Sequence, residues 1–159
     1  MMMRAWTLTQ PIDESPGWSK RAASPADERF IVDLWLRSFA RTPLGARLKD
    51  IDHRRYWRNL RAEVLLLLER AETTVLCDPV APDDIVWAFA CCSPDVVHFA
   101  AVKPAFMPHK LAMLSDLLGE RTAKQMYYTH VIPDVLPMPR AWIYDPHCLV
   151  EIVRGGNEP

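Results

Sequence analysis

The stretch with the clearest chemical potential is residues 96–118, VVHFAAVKPAFMPHKLAMLSDLL. Its branched and apolar residues predict a strand to Val102, followed by a loop and a helix from about Pro108. The first N–H groups of a helix have no partner within it, so a strand that leads into a helix forms a ready anion site. No glycine lies between Gly45 and Gly119. The loop therefore lacks the residues that let a backbone wrap closely around a phosphate.

Two histidines and three carboxylates are further candidates for chemistry. His98 lies in the predicted strand, and an ordinary pKa of about 6.5 would let it act as a general base near neutral pH. The alternative is a packing residue with one hydrogen bond, and His130 is a similar case. Asp95 and the pair Asp83-Asp84 either bind a cationic amine or form turns.

Several classes of site are not predicted. The four cysteines contain no CxxC pair, so we expect reduced, mostly buried thiols rather than the alternative, a metal site that draws on His130, His147 and Cys148. The chain has no GxSxG nucleophile elbow. It also lacks the glycines of a Walker or dinucleotide fingerprint.

Length and composition favour one globular domain over residues 1–159, with 1–23 and 154–159 partly irregular. The net charge of -1 does not favour a nucleic-acid binder. Arg54, Arg58 and Arg61 form either a basic patch for RNA or an acidic substrate, or a solvated helix face.

No apolar run reaches the roughly 18 residues of a membrane span, and the start of the chain lacks the features of a secretory signal. We therefore expect a cytoplasmic protein without a membrane partner.

The elements that position these residues follow from hydrophobic spacing and turn residues. Ser24-Pro25-Ala26-Asp27 predicts a capped helix start. The predicted helices cover 24–39, 52–71 and 108–118, with buried stripes at Ile31, Leu34, Trp35 and Phe39, at Trp57, Leu60, Val64, Leu67 and Leu68, and at Leu111, Leu114 and Leu118. The predicted strands are 4–12, a meander of 73–78, 85–92 and 96–102, then 125–132 and one or two short strands in 142–153. Residues 13–23 and 40–50 are predicted loops.

Four phrases in this order resemble the Gcn5-related N-acetyltransferase (GNAT) superfamily. They are FIVDLWLRSF (30–39), DPVAPDDIVWAFA (78–90), VVHFAAVKPAF (96–106), and MYYTHVI with the later PRAWIYDPH (139–147). The local match is closer to small acetyltransferase-like proteins of tailed phages, which would place the chain in the host cytoplasm. The resemblance implies an α/β (α+β) fold with a mixed, mostly antiparallel twisted sheet, flanking helices and a splayed V between the central strands.

The resemblance also implies an acetyl-CoA site in that V, between residues 96–103 and 125–132. The backbone of Phe99, Ala100, Ala101 and Val102 would bond the pantetheine arm. Met107, His109, Lys110, Leu111 and Ala112 fall on the loop that wraps the pyrophosphate. Three positions depart from the Arg/Gln-x-x-Gly-x-Gly/Ala pattern: Met107 replaces Arg or Gln, Lys110 replaces Gly, and Pro108 has no N–H to donate.

For catalysis, the resemblance implies that an amine attacks the thioester directly. Tyr128 or Tyr127 would protonate the leaving thiolate, and only one of them can face the cleft because adjacent strand residues point to opposite sides. His98 is the candidate base.

Two functions are therefore open. The first is an acetyl-CoA-dependent N-acetyltransferase that acts on a small-molecule or protein amine. The alternative is a degenerate GNAT-fold protein that has lost the cofactor and binds a protein as a modulator or assembly factor. A nucleic-acid role through the helix-two arginines is a distant third, and the sequence does not predict an oligomeric state.

Overall fold

The computed structural model describes residues 17–47, 52–135 and 137–149. The strands are β1 (Ser19–Ala22), β2 (Glu72–Cys77), β3 (Val86–Ser93), β4 (Val96–Val102), β5 (Met126–Tyr128) and β6 (Trp142–Tyr144). The α-helices are α1 (Glu28–Ala40), α2 (Pro43–Arg47), α3 (His53–Arg70) and α4 (Lys110–Leu118). Short 3₁₀ segments cover Pro25–Asp27, Pro104–His109, Gly119–Ala123 and Pro133–Val135.

The six described strands form one sheet in chain order, β1-β2-β3-β4-β5-β6. The pairs from β1 to β4 are antiparallel, whereas β4–β5 and β5–β6 are parallel. This confirms the predicted mixed, mostly antiparallel sheet. All of β4 and all but the last residue of β3 are buried, which explains why both strands are apolar runs without alternation.

Helices cover both faces of the sheet. On β1, Lys20 pairs with Asp116 of α4 at 2.7 Å, and the next residue, Arg21, pairs with Asp27 at the start of α1. Successive strand residues point to opposite faces, so α4 and α1 lie on opposite sides. Helix α3 packs against α1. The molecule thus has three layers, with the sheet in the middle.

The core on the α1 side is built around Trp35, which is fully buried. Its ring stacks on Phe99 of β4 with centroids 4.8 Å apart and an interplanar angle of 6°. The stripe predicted for this helix, Ile31, Leu34, Trp35 and Phe39, is buried as expected. On α3 the core residues are Leu60, Val64 and Leu67, while Trp57 and Leu68 are only partly buried.

The start of α1 is fixed by a buried carboxylate. Asp27 accepts the Ser24 backbone N–H at 2.7 Å, as the predicted capping box requires. It also receives both terminal nitrogens of Arg21, at 2.6 and 3.0 Å. The Arg21 guanidinium holds the pKa of Asp27 below its usual range. Arg21 also donates to the Pro82 carbonyl, so one side chain joins the first strand, the first helix and the β2–β3 loop.

Two predicted loops are wrong in part. Residues 13–23 include β1, whose polar sequence SKRA shows no strand pattern and which is held by its pairing with β2. Residues 40–50 include the short helix α2. The predicted strand at 4–12 lies outside the described residues, as does the end of the 142–153 segment.

The region after β4 differs more from the prediction. The helix predicted from Pro108 begins at Lys110, because Pro104–His109 forms a 3₁₀ segment. Of the predicted stripe, Leu114 and Leu118 are buried, whereas Leu111 is 65% exposed. Helix α4 also buries Met113 and Leu117. The predicted strand 125–132 is a strand only at Met126–Tyr128.

The four cysteines form no disulfide and are all buried. Burial raises the pKa of the Cys91 thiol to about 12 and that of Cys92 to about 11. In the part of the chain that the structure describes, no helix is both long and apolar enough to cross a bilayer.

Gly45 in α2 lies against the end of α1 with no room for a side chain. A Cβ there would lie 2.5 Å from the Phe39 carbonyl oxygen and 2.9 Å from the Ala40 Cα. Both are backbone atoms, so Gly45→Ala should destabilise the protein by about 1–3 kcal/mol and lower Tm by several degrees. Gly17→Ala is the control, because nothing lies within 4 Å of its Cβ position. Equal Tm values for the two variants would contradict this account.

Candidate functional site

A β-bulge interrupts the pairing of β3 with β4. Cys91 faces Phe99 and Cys92 faces Val97, so His98 is an extra residue on β4. A bulge bends its strand and increases the local twist. Strand β4 therefore changes direction at His98, in the middle of the sheet.

Strands β4 and β5 part at this bend. They pair only at Val96–Tyr127 and Val97–Tyr128, and the Thr129 N–H makes one more bond, of 3.3 Å, to the Val97 carbonyl. Beyond this point β4 continues to Val102 without β5 beside it. The two strands predicted to diverge do so, and the gap between them is the candidate site.

The chain itself fills this gap. Phe99, Ala100, Ala101 and Val102 are each 0% exposed, main chain included. The covering segment is 129–135, in which Ile132 is also 0% exposed. The edge of β4 that faces away from β3 is therefore closed to solvent after the bulge.

A buried carboxylate completes the closure. The Lys103 N–H bonds the Trp87 carbonyl of β3 at 2.7 Å, so the preceding N–H, that of Val102, points to the other edge of β4. Asp134, which is 6% exposed, accepts this N–H at 3.0 Å. The Asp134 side chain thus accepts the hydrogen bond that the Val102 N–H would otherwise donate to a neighbouring strand or a ligand.

The loop after β4 is also closed on itself. The Phe106 N–H bonds the Lys103 carbonyl at 2.8 Å, and the Lys110 N–H bonds the Met107 carbonyl. Pro104 and Pro108 have no N–H. The Phe106 ring stacks on Trp87 with centroids 4.4 Å apart, which holds the 3₁₀ segment against β3. None of these four positions offers a free backbone N–H to a phosphate.

The predicted loop residues line neither of the two described cavities. Met107 packs against the core, and His109 and Lys110 are half-buried, whereas Leu111 and Ala112 are exposed. A cavity of about 490 Å³ lies nearby, between Lys103-Pro104 and α1, where Phe30, Leu34 and Arg37 line it together with Arg41 just after the helix. None of the residues predicted to bind the cofactor lines it.

These observations test whether acetyl-CoA fits the predicted site. A pantetheine arm needs free backbone groups on the edge of β4, and that edge is covered by residues 129–135, with Asp134 on the Val102 N–H. In the arrangement that the structure describes, the residues present do not fit the cofactor.

Beside the bulge, four polar side chains form a continuous hydrogen-bonded chain, and a fifth, Glu63, lies at its end. His98 Nε2 lies 2.9 Å from Ser93 Oγ, and His98 Nδ1 lies 3.2 Å from Thr129 Oγ1. Thr129 Oγ1 lies 2.8 Å from His130 Nδ1, and His130 Nε2 lies 3.4 Å from the Glu63 carboxylate. The chain connects the β3–β4 turn to α3 through the point where β4 and β5 part.

This chain can run in either direction. A neutral His98 donates from one ring nitrogen and accepts at the other. Either Nδ1 donates to Thr129 and the Ser93 hydroxyl donates to Nε2, or Nε2 donates to Ser93 and the Thr129 hydroxyl donates to Nδ1. In both cases the His98 ring joins Ser93 to Thr129.

His98 is a weak base in this position. It is fully buried, and burial, with the nearby His130, lowers its pKa from 6.5 to about 4. A histidine with this pKa is neutral at pH 7. It is too weak a base to remove a proton efficiently from a hydroxyl or an amine. The arrangement orients Ser93 and joins β4 to β5, and it favours a structural role for His98.

The predicted tyrosines lie apart from this chain. Tyr128 is half-buried, with its ring 6.4 Å from Trp142 and 5.4 Å from Tyr144 of β6. Neither Tyr127 nor Tyr128 takes part in the hydrogen bonds around His98. The structure therefore does not bring the three predicted catalytic residues into one cluster, and their roles stay predictions.

Sequence reasoning missed Asp134, Thr129, Ser93 and Glu63. Each is a common polar residue, and their contacts reach distant parts of the sequence: Asp134 bonds Val102, 32 positions away, and Glu63 lies against His130 of the β5 segment. The one local signal was Pro133-Asp134, which is typical of a turn. Among the residues that the structure describes, no group of three or more His, Cys, Asp or Glu side chains could hold a metal ion.

Comparisons with known proteins add little. No family model matches the chain, and no curated protein matches it. The apo form of YjaB from Escherichia coli is similar at 18% identity and a TM-score of 0.47, over 64% of this chain and 65% of that one. A protein titled as a GCN5-related N-acetyltransferase from Rhodopseudomonas palustris is similar at 16% identity and a TM-score of 0.45, over 67% and 66%. The matched part is just under two thirds of each of these proteins.

The buried His98 predicts how stability depends on pH. Its pKa is about 4 in the folded chain and 6.5 when exposed, so the unfolded state binds the proton more tightly. The contribution of neutral His98 to the free energy of unfolding is complete above pH 6.5. It decreases by about 3 kcal/mol in total as the pH falls from 6.5 to about 4.

The measurement is urea unfolding of the wild type and His98→Gln at about pH 7 and about pH 4.5. The variant should be less stable at neutral pH but lose less stability on acidification. His147→Gln, at an exposed position, should keep the wild-type dependence. If His98→Gln shows the same pH dependence as the wild type, the assignment is wrong.

Proposed function

We propose that this chain is a binding protein with a GNAT-like arrangement of strands, in which its own residues fill the place of acetyl-CoA. It acts on a protein partner, as a modulator or an assembly factor, and carries out no acyl transfer. The observation that carries this proposal is the hydrogen bond from the Val102 N–H to the buried Asp134 carboxylate.

The energetics of that bond support the proposal. A cofactor would have to displace Asp134 and the residues around Ile132, which is fully buried. An unpaired buried carboxylate costs more than an ordinary lost hydrogen bond, which is itself worth about 1 kcal/mol. Exposing the apolar side chain of Ile132 would cost about 2 kcal/mol more. Any gain from bonding pantetheine would first have to offset these costs.

The loop after β4 gives independent support. Two of its N–H groups are bonded within the 3₁₀ segment, and two of its positions are prolines. Such a loop offers a pyrophosphate fewer backbone hydrogen bonds. Lys110 could still attract it, but only as a point charge and without a set of backbone donors around the phosphates.

A second candidate is an acetyl-CoA-dependent N-acetyltransferase that acts on a small-molecule or protein amine. The observation that favours it is the parting of β4 and β5 after two residue pairs, since the resemblance places the cofactor between these strands. It requires residues 129–135 to move away from β4 when the cofactor binds.

A thermal-shift titration with acetyl-CoA separates the two candidates. The wild type should show no rise in Tm at millimolar acetyl-CoA, whereas a working slot would raise Tm by a few degrees. An acetyltransferase of established activity in the same plate shows that the ligand is intact. A saturable rise in Tm would reject the binding-protein proposal in favour of the acetyltransferase.

The Asp134→Ala variant examines the closure itself. It leaves the buried Val102 N–H without its partner and should lower the free energy of unfolding by about 1–3 kcal/mol. Asp33→Ala, at an exposed position on α1, should have an effect below about 0.5 kcal/mol. Equal stability of the two variants would show that the Asp134 bond does not hold the segment in place.

A further inference from the structure

Helix α3 carries more apolar residues than the core uses. Its run Val64–Leu68 contains five apolar residues in succession. At about 100° per residue such a run covers the whole circumference of a helix. Only Val64 and Leu67 are buried, at 0% and 2% exposure. Leu65, Leu66 and Leu68 remain partly exposed.

These three leucines line an open groove of about 890 Å³ between α1 and the C-terminal half of α3. Ile31 contributes from α1, and residues 22–25 close the end near β1. Ala62, Leu65, Leu66 and Glu69 all line the groove, and they follow the i, i+3, i+4, i+7 spacing of a helix-packing stripe. The α3 helix thus presents a second such stripe beside the one in the core.

The charged side chains among the described lining residues of the groove are all acidic. Glu28 of α1, Glu69 of α3 and Glu72 of β2 line it, and no lysine or arginine is among its described lining residues. Carboxylates thus lie on both sides of the apolar surface of the groove. A ligand with apolar side chains on one face and cations at its margins would match both features.

We propose that this groove binds a cationic amphipathic helix of a partner protein. The leucine-type side chains of that helix pack on Leu65, Leu66 and Leu68, and its lysines or arginines lie near Glu28, Glu69 and Glu72. The spacing of the α3 stripe favours a helix over an extended peptide, because ridges at i+3 and i+4 fit the grooves of a second helix. The proposal rests on the binding role proposed above and names the chemistry of the partner.

The probe is a fluorescein-labelled peptide of about four helical turns, with leucines at i, i+3, i+4 and i+7 and lysines elsewhere. Fluorescence anisotropy with the full chain should show saturable binding that weakens as salt is added. A peptide with glutamates in place of the lysines should bind at least about tenfold more weakly, because it faces the carboxylates of the groove.

Two pairs of variants locate the binding. Leu66→Ser and Glu69→Lys should each weaken binding by about tenfold, through lost apolar burial and through reversed charge. The controls are Leu111→Ser and Glu120→Lys, which change an exposed leucine and an exposed glutamate outside the groove. Circular dichroism and Tm verify that all four variants fold, and the controls should bind as the wild type does.

Any one of three binding results would overturn the proposal. They are no binding of the lysine peptide, equal binding of the glutamate peptide, and equal weakening by the groove and control variants. A dimer that Leu66→Ser dissociates would also overturn it, since a second copy would then occupy the groove. If the lysine peptide fails and acetyl-CoA still does not bind, only the groove proposal fails. Binding of acetyl-CoA would instead reject the proposed function.

Discussion

The structure depends on one requirement: the main-chain groups of β4 need partners after β5 turns away. A buried N–H without a partner costs as much as a lost hydrogen bond or more, and native proteins avoid it. The bulge at His98 bends β4, and β5 leaves it after Val97. The chain then returns along the open edge and supplies the Asp134 carboxylate to the Val102 N–H. The path of residues 129–135, the closed gap and the poor fit of a cofactor all follow from this requirement.

The parts of the fold that could be predicted are those whose cause is local. The runs that became β2, β3 and β4 are apolar because both faces of the sheet are covered. The start of α1 follows from Ser24 and Asp27, whose side chains make the expected cap. By contrast, β1 has a polar sequence and exists only because β2 offers its edge. Strands β2, β3 and β4 and the start of α1 are thus specified by a few neighbouring residues, whereas β1 depends on a strand that is distant in sequence.

Residues after β4 show a second limit of sequence reasoning. Leu111 fits a helical stripe with Leu114 and Leu118, and those two leucines are buried. Leu111 is exposed, and it lies in the first turn of α4, which begins at Lys110. Apolar spacing alone does not determine where the helix begins.

The candidate site was the least predictable part. The predicted cofactor residues Phe99–Val102 lie beside the gap, but nothing local indicated that the gap is filled. Asp134 is separated from Val102 by 32 residues, and one sequence does not show such a pairing. The departures at Met107, Pro108 and Lys110 did indicate an altered loop, and the loop has a compact 3₁₀ conformation.

The adjacent thiols of β3 have a consequence for the chemical durability of the sheet. Cys91 and Cys92 point to opposite faces, and burial holds the pKa of both far above neutral. Oxidants and alkylating reagents attack the thiolate, which is scarce at these positions until the strands separate. Both sulfurs therefore stay reduced while the sheet is intact, and their modification would mark molecules whose central strands have already opened.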